Sequence, residues 1–219
     1  MIRKWTDPQS LSGSYGYIMD HLILASKSPR RREILDRIHI PYILCGSEID
    51  ESFEEGHDIR SAVMGISKRK VEAVAPRFSR GLVLGVDTVV LCKERVLGKP
   101  PDSEAAGEYL SLLNGGDHQV LSGVTVRDSR SGVEYSAVSE TSVYFTKMTR
   151  DEMVWYLSLG EWFDKAGAYA IQGTASLFID RIDGSYYNVM GLPVEKLFRL
   201  LKRFSYFSSA GEHRPVKRS

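Results

Sequence analysis

Gly85-Val86-Asp87-Thr88-Val89-Val90 lies inside a run, Leu82 to Cys92, that is apolar on both alternating faces except at Asp87 and Thr88. Such a run is an interior strand covered on both sides, because a half-solvated strand alternates apolar with polar residues. An ionised carboxylate is costly to desolvate there unless a cation, a metal or several donors meet it. A structural aspartate bonded to backbone amides at a strand end would also meet that requirement. What tilts Asp87 towards chemistry is the rest of the chain, which supplies cations in several separate places.

Upstream, Leu22-Ile23-Leu24-Ala25 is a short buried strand entering Ser26-Lys27-Ser28-Pro29-Arg30-Arg31-Arg32. Pro29 suits the first turn of a helix that runs to about Ile38. Ile34, Leu35 and Ile38 form its buried stripe, and Arg30 and Arg31 precede them on the same side, while Arg32 aligns with Asp36 on the solvated face. Inward-facing arginines at a helix start, beside Ser26 and Ser28, suit an anion that the first-turn amides and the helix dipole already favour. The bland alternative is a pair of arginines snorkelling over the core edge.

Tyr42 to Cys45 is a second strand, followed by an acidic loop with Glu48, Asp50, Glu51, Glu54 and Glu55. Most of these are solvated, but one placed near Asp87 would complete a divalent-metal site. Asp58 caps a helix reaching about Ala75 and stopped by Pro76, with Ile59, Val63, Ile66 and Ala73 as its apolar stripe. Lys70 falls on that stripe and Lys68 does not. A lysine there reaches into a cleft or lays its stem over apolar surface.

Downstream, Lys93-Glu94-Arg95 is a tight turn, and Pro100-Pro101 fixes the loop carrying Lys99. A helix over Ser103 to Leu113 and two long strands, His118 to Arg127 and Val133 to Phe145, come next. Thr149 to Glu152 is a capping box. The run Asp164 to Gly173 is rich in glycine and alanine, as where backbone approaches a ligand. A strand over Ser176 to Ile182 precedes a last amphipathic helix carrying Val194, Leu197, Leu200, Leu201 and Phe204. The alternation predicts an α/β protein with a mixed sheet.

The 219 residues make one domain, or one domain with two lobes, large enough for a real core. Lys+Arg 29 against Asp+Glu 28 leaves a net charge of +1, so no global electrostatic footprint points to nucleic acid or a membrane surface. Cys45 and Cys92 lie in apparent strands as buried free thiols, which fits a reducing, cytoplasmic setting. No CxxC or zinc spacing occurs, and no apolar run approaches the length of a membrane span. Residues 1–21 lack the apolar core of a secretory signal and are expected to be a disordered extension, like the tail 206–219. The folded domain is expected over 22–205.

Phosphoryl chemistry needs cations for the non-reacting phosphates, a divalent metal for developing charge, and a carboxylate that binds the metal or orients water. Arg30, Arg31, Lys70 and Lys99 supply the first, and Asp87 with an acidic partner supplies the rest. Neither a Walker A motif nor GxGxxG is present. The residues alone therefore indicate a nucleotide or phosphometabolite hydrolase.

Leu24-Ala25-Ser26-Lys27-Ser28-Pro29-Arg30-Arg31 resembles the signature of the Maf family of nucleoside triphosphate pyrophosphatases. The resemblance continues through Glu51, Gly85 to Thr88, Lys99-Pro100, His118-Gln119-Val120, Gly184-Ser185-Tyr186 and Gly191-Leu192-Pro193, and covers residues 22–204. Each motif alone is weak; their order and spacing together are specific. The resemblance implies hydrolysis between the α and β phosphates, with Mg²⁺ or Mn²⁺, in the removal of non-standard or excess nucleotides. It implies Ser26, Arg30, Arg31, Lys70 and Lys99 as phosphate ligands and Glu51 and Asp87 as metal ligands, with Asp87 also orienting or deprotonating water. It further implies a mixed twisted sheet flanked by helices, in two lobes with a nucleotide-binding cleft between them, and a homodimer.

Asp164-Lys165-Ala166-Gly167-Ala168-Tyr169 with Ile171-Gln172-Gly173 resembles the branch of the family acting on dTTP and UTP. The Gln172 amide has a donor and an acceptor suited to a pyrimidine edge. Ser122, Met190 and Gly98 depart from the family pattern, and none carries the implied chemistry. Two alternatives stay open at this point: the same chemistry on a modified purine such as 7-methyl-GTP, and a nucleotide-binding regulator of cell division.

Overall fold

The structure, a computed structural model, describes residues 21–52 and 58–208. The expected extension (apart from His21), Glu54, Glu55 and the chain beyond Ser208 lie outside the described residues. In chain order the elements are β1 (Leu22–Leu24), α1 (Pro29–Arg37), β2 (Tyr42–Leu44), α2 (Ile59–Val74), β3 (Leu82–Cys92) and β4 (Arg95–Leu97). Then come α3 (Ser103–Leu113), β5 (Asp117–Asp128), β6 (Glu134–Phe145), α4 (Arg150–Ser158), β7 (Ile179–Asp183), α5 (Tyr186–Met190) and α6 (Val194–Arg203). One seven-stranded mixed sheet runs β2-β1-β3-β5-β6-β7, with β4 joined to β3. β1 is parallel to β2 and β3, and the other pairings are antiparallel.

β3 is the interior strand its composition calls for: every residue except Thr88 and Leu91 is buried. Its pairing creates the site. β5 covers one edge from Leu82 to Leu91. The other edge is shared, with β1 opposite Leu82 to Leu84 and β4 opposite Val90 to Cys92. Between those two neighbours the edge is a notch, and Asp87 and Thr88 stand in its middle. The chain leaving β1 carries Ser26 to Arg31 past one side of the notch, and the chain leaving β4 carries Lys99 past the other. A crevice at the carboxyl end of a parallel strand, where a neighbour stops, is where open α/β sheets bind ligands.

The period-two alternation of β3 assigns its two faces. Leu82, Leu84 and Val86 pack with Ile34 and Leu35 of α1 and Leu197, Leu200 and Leu201 of α6. Val90 and Cys92 join a second cluster with Leu110 of α3, Tyr156 of α4 and Val143 of β6. These clusters are the two lobes, and Ile179, Ile182 and Val189 touch both. On the opposite face Val83 meets Val71 and Val74 of α2.

α2 lies unusually close to the sheet. A Cβ at Gly85 would stand 2.2 Å from the Ser67 carbonyl oxygen, and one at Gly123 would stand 2.3 Å from that of Val63. Gly123 is the β5 residue directly opposite Asp87. The two glycines therefore let the helix backbone sink onto the sheet and bring Lys70 down to Asp87. Gly123→Ala should cost about 3 kcal/mol through overpacking against backbone that cannot yield. Urea unfolding checks this, and an unchanged midpoint would show that the close approach is dispensable.

Three local expectations are corrected. The strand expected from Ser176 begins at Ile179, because Thr174 to Phe178 coil into a 3-10 turn. Glu161 anchors that turn by accepting from the Thr174 amide and hydroxyl. In α2 the buried stripe is Val63, Ile66, Ser67, Lys70, Val71 and Val74, and Ala73 is exposed. Ser67 can be buried because its hydroxyl bonds to Thr125 Oγ1 and the Met64 carbonyl. Cys45 lies just beyond β2 and is only half-buried, whereas Cys92 is buried; both are free.

Candidate functional site

The notch opens into a cleft of about 480 Å³. Every site residue expected from the sequence lines it: Ser26, Arg30, Arg31, Glu51, Lys70, Asp87, Lys99 and Gln172. Chain segments far apart in sequence meet here because the ends of β1 and β4 face each other across the free stretch of β3.

Lys70 is 3% exposed and Asp87 5%. The Lys70 ammonium donates to Asp87 Oδ1 at 2.8 Å and to the Val86 carbonyl at 3.2 Å, and it lies 3.0 Å from Glu51 Oε1. The ammonium makes two hydrogen bonds and a further ion pair. The core-facing lysine thus reaches into the cleft, where it holds two carboxylates. Lys68 points away and pairs with Glu134.

Arg31 acts as a three-way tie. Its Nε donates to the Gly191 carbonyl at 2.9 Å, one terminal nitrogen to Ser26 Oγ at 2.8 Å and the other to Thr88 Oγ1 at 3.3 Å. Burial lowers its pKa, and Asp87 and Glu51 counteract that. Ser26 Oγ also accepts from the Ser28 amide, and Thr88 Oγ1 shares a hydrogen bond with Ser122 Oγ. Arg30, half-buried, donates to the Asp164 carbonyl. Its pKa is lowered by burial and supported by the Asp164 charge. Lys99 is exposed and paired with Asp164 Oδ1 at 2.5 Å. Gln172 sits at the exposed rim, where its amide nitrogen donates to Glu33 Oε2 of α1.

The sequence reading assigned no role to three residues that shape the cleft: Thr88, Asp164 and Tyr169. Tyr169 forms part of the wall, and its hydroxyl is 2.8 Å from Nε2 of His118. Edge-to-face packing with Phe145 and Tyr169 encloses the His118 ring, and burial takes its pKa down to about 4, so it stays neutral at physiological pH. The aromatic residue inside a glycine- and alanine-rich run was the available signal.

Among the described residues no group of three or more His, Cys, Asp or Glu is placed to hold a metal. Glu51 and Asp87 nevertheless reach one shared ammonium, so they are close enough to share a cation. Mg²⁺ is commonly held by one or two carboxylates, with water and substrate phosphates completing its shell. The donor set fits a hard divalent cation that arrives with a polyphosphate.

A mixed α/β sheet with a notched edge, arginines and lysines on its rim and a buried carboxylate at its floor defines a polyanion-binding cleft equipped for hydrolysis. The family model described as Maf-like protein matches residues 21–204, and the chain belongs to that family. It is 43% identical over 180 residues to the dTTP/UTP pyrophosphatase of Syntrophomonas wolfei, covering 82% of this chain and 95% of the relative. The dTTP/UTP pyrophosphatase of a Geobacillus species is 40% identical over 188 residues, covering 86% and 100%. That of Symbiobacterium thermophilum is 43% identical over 188 residues, covering 86% and 96%. Among solved structures, the Staphylococcus aureus Ham1 protein aligns over 84% of this chain and 99% of its own at 16% identity, with a TM-score of 0.45.

Proposed function

We propose that this protein hydrolyses nucleoside triphosphates, dTTP and UTP foremost, between the α and β phosphates to a monophosphate and pyrophosphate. The observation that carries the reading is the convergence of Lys70, Glu51 and Asp87 at the floor of a notch rimmed by Arg30, Arg31 and Lys99. The named relatives supply the substrate class. The catalytic unit is residues 22–205. No described helix is long and apolar enough to cross a membrane, and the two free thiols suit a cytoplasmic site of action.

In this reading Arg30 and Lys99, with the remaining donors of Arg31 and the Ser26 hydroxyl, hold the phosphates in line for attack. Lys70 keeps Glu51 and Asp87 facing the cleft; a phosphate contact of its own, as the resemblance implies, would compete with Glu51 for the ammonium. Glu51 and Asp87 would hold Mg²⁺ or Mn²⁺. Bound there, the ion would offset charge on the phosphate oxygens and lower the pKa of a coordinated water. Asp87, fixed by its bond to Lys70, orients the attacking water and accepts its proton. Gln172 offers an amide donor and acceptor at the rim for a pyrimidine edge.

Pyrophosphate release measured with Mg²⁺ and with Mn²⁺ across dTTP, UTP, CTP, GTP, 7-methyl-GTP and ITP tests this. Selective turnover of dTTP and UTP is the expected result. Turnover of 7-methyl-GTP instead would keep the chemistry and discard the role of Gln172. Nucleotide binding without any turnover would leave a binding protein.

A further inference from the structure

The cleft wall contains the carboxylates Glu51, Asp87 and Asp164. The first two share Lys70 and belong to the proposed chemistry. Asp164 is a negative charge placed where the substrate's phosphates should go, and the proposed hydrolysis gives it no task. Its carboxylate lies 2.5 Å from the Lys99 ammonium, and its carbonyl accepts from Arg30. We propose that Asp164 is a resident anion of the phosphate end of the cleft, holding Lys99 until the phosphates of a nucleotide displace it.

The backbone is arranged to keep the carboxylate there. Asp164 has φ of 58°, in the left-handed region, between Gly160 at 70° and Gly167 at 69°. These positive-φ positions fold residues 160–168 into successive tight turns closed by Phe163 N to Gly160 O, Lys165 N to Trp162 O and Ala168 N to Lys165 O. The Gly167 amide donates to the Gly98 carbonyl at 3.1 Å, tying this segment to the loop that presents Lys99. The main chain is thus held on both sides, while the Asp164 side chain is 41% exposed and that of Lys99 62%. The carboxylate can rotate into water while the backbone stays in place. Burial pushes the Asp164 carboxyl up, but Lys99, Arg30 and Lys165 together outweigh it and hold it below the usual range, so it is charged at neutral pH.

A phosphate oxygen reaching the Lys99 ammonium meets a like charge already bound to the same nitrogen, and the repulsion between them weakens phosphate binding until the carboxylate turns away. Arg30 and Arg31 bond here to carbonyls and hydroxyls, so they can take phosphate oxygens without opening an ion pair. The exchange at Lys99 weakens substrate and released pyrophosphate alike, which favours product release.

This inference rests on the pyrophosphatase reading for its ligand, and its test is independent of turnover. Asp164→Asn removes the charge and keeps the backbone, because asparagine accepts left-handed φ. Calorimetric titration with inorganic tripolyphosphate should show binding about fivefold tighter in the variant, the worth of a surface ion pair. The KM for dTTP should fall by a similar factor. In a Lys99→Met background the same substitution should change both quantities much less, a result that loss of structural support alone would not give. Unchanged or weaker tripolyphosphate binding in Asp164→Asn overturns the proposal, as does an equal gain without Lys99 or no binding by either protein. A wild-type protein that binds tripolyphosphate but turns over no nucleotide defeats the pyrophosphatase reading and leaves the calorimetric comparison standing.

Discussion

Asp87→Asn is expected to reduce kcat by about three orders of magnitude or more while leaving nucleotide affinity within roughly tenfold. The replacement has the same shape, and its amide oxygen can still accept the hydrogen bond that Lys70 now donates at 2.8 Å. It carries no charge to share with Glu51 and cannot take a proton from water. The proposed phosphate-binding groups Arg30, Arg31 and Lys99 do not bond to Asp87, so ground-state binding should survive. Pyrophosphate release gives kcat, and calorimetry with a non-hydrolysable triphosphate gives the affinity. Full turnover in the variant would remove Asp87 from the chemistry.

Lys70→Met should be the most damaging single change to stability in the cleft. Methionine fills the stem's volume, so the effect isolates the ammonium. Without it buried Asp87 loses the cation it is hydrogen-bonded to and the Val86 carbonyl loses its donor. Removing one partner of a buried ion pair costs about 3–5 kcal/mol, because the other charge is left uncompensated. Urea unfolding of four proteins checks this: wild type, Lys70→Met, Asp87→Asn and the double variant. The double variant should be more stable than Lys70→Met alone, since no bare buried charge remains. A Lys70→Met protein as stable as wild type would mean that the ammonium is incidental to the fold.

These two expectations depend differently on sequence and on structure. The interior character of β3, the inward arginines of α1, the Asp58 cap and the capping box at Thr149 are all local. Each follows from a spacing of a few residues, and the structure reproduces them. Lys70 was legible for the same reason, as a cation on an apolar stripe. Ala73 was misplaced on that stripe because composition cannot reveal that a buried serine, Ser67, has a partner in Thr125. The strand start was misplaced at Ser176 because Glu161, thirteen residues before Thr174, decides the turn.

By itself the sequence determined most of the strands and helices, the buried faces of α1 and β3, and a buried Asp87 accompanied by a set of cations suited to phosphate. Tertiary structure alone decided how those charges are shared. Lys70 is committed to two carboxylates, Arg31 spans Ser26, Thr88 and Gly191, Lys99 is held by Asp164, and Gln172 rests on Glu33. Periodicity along a chain specifies direction from the backbone, which is local. Partner choice is a competition among all charges brought within reach of one another, and here the gap between β1 and β4 on the edge of β3 sets that reach.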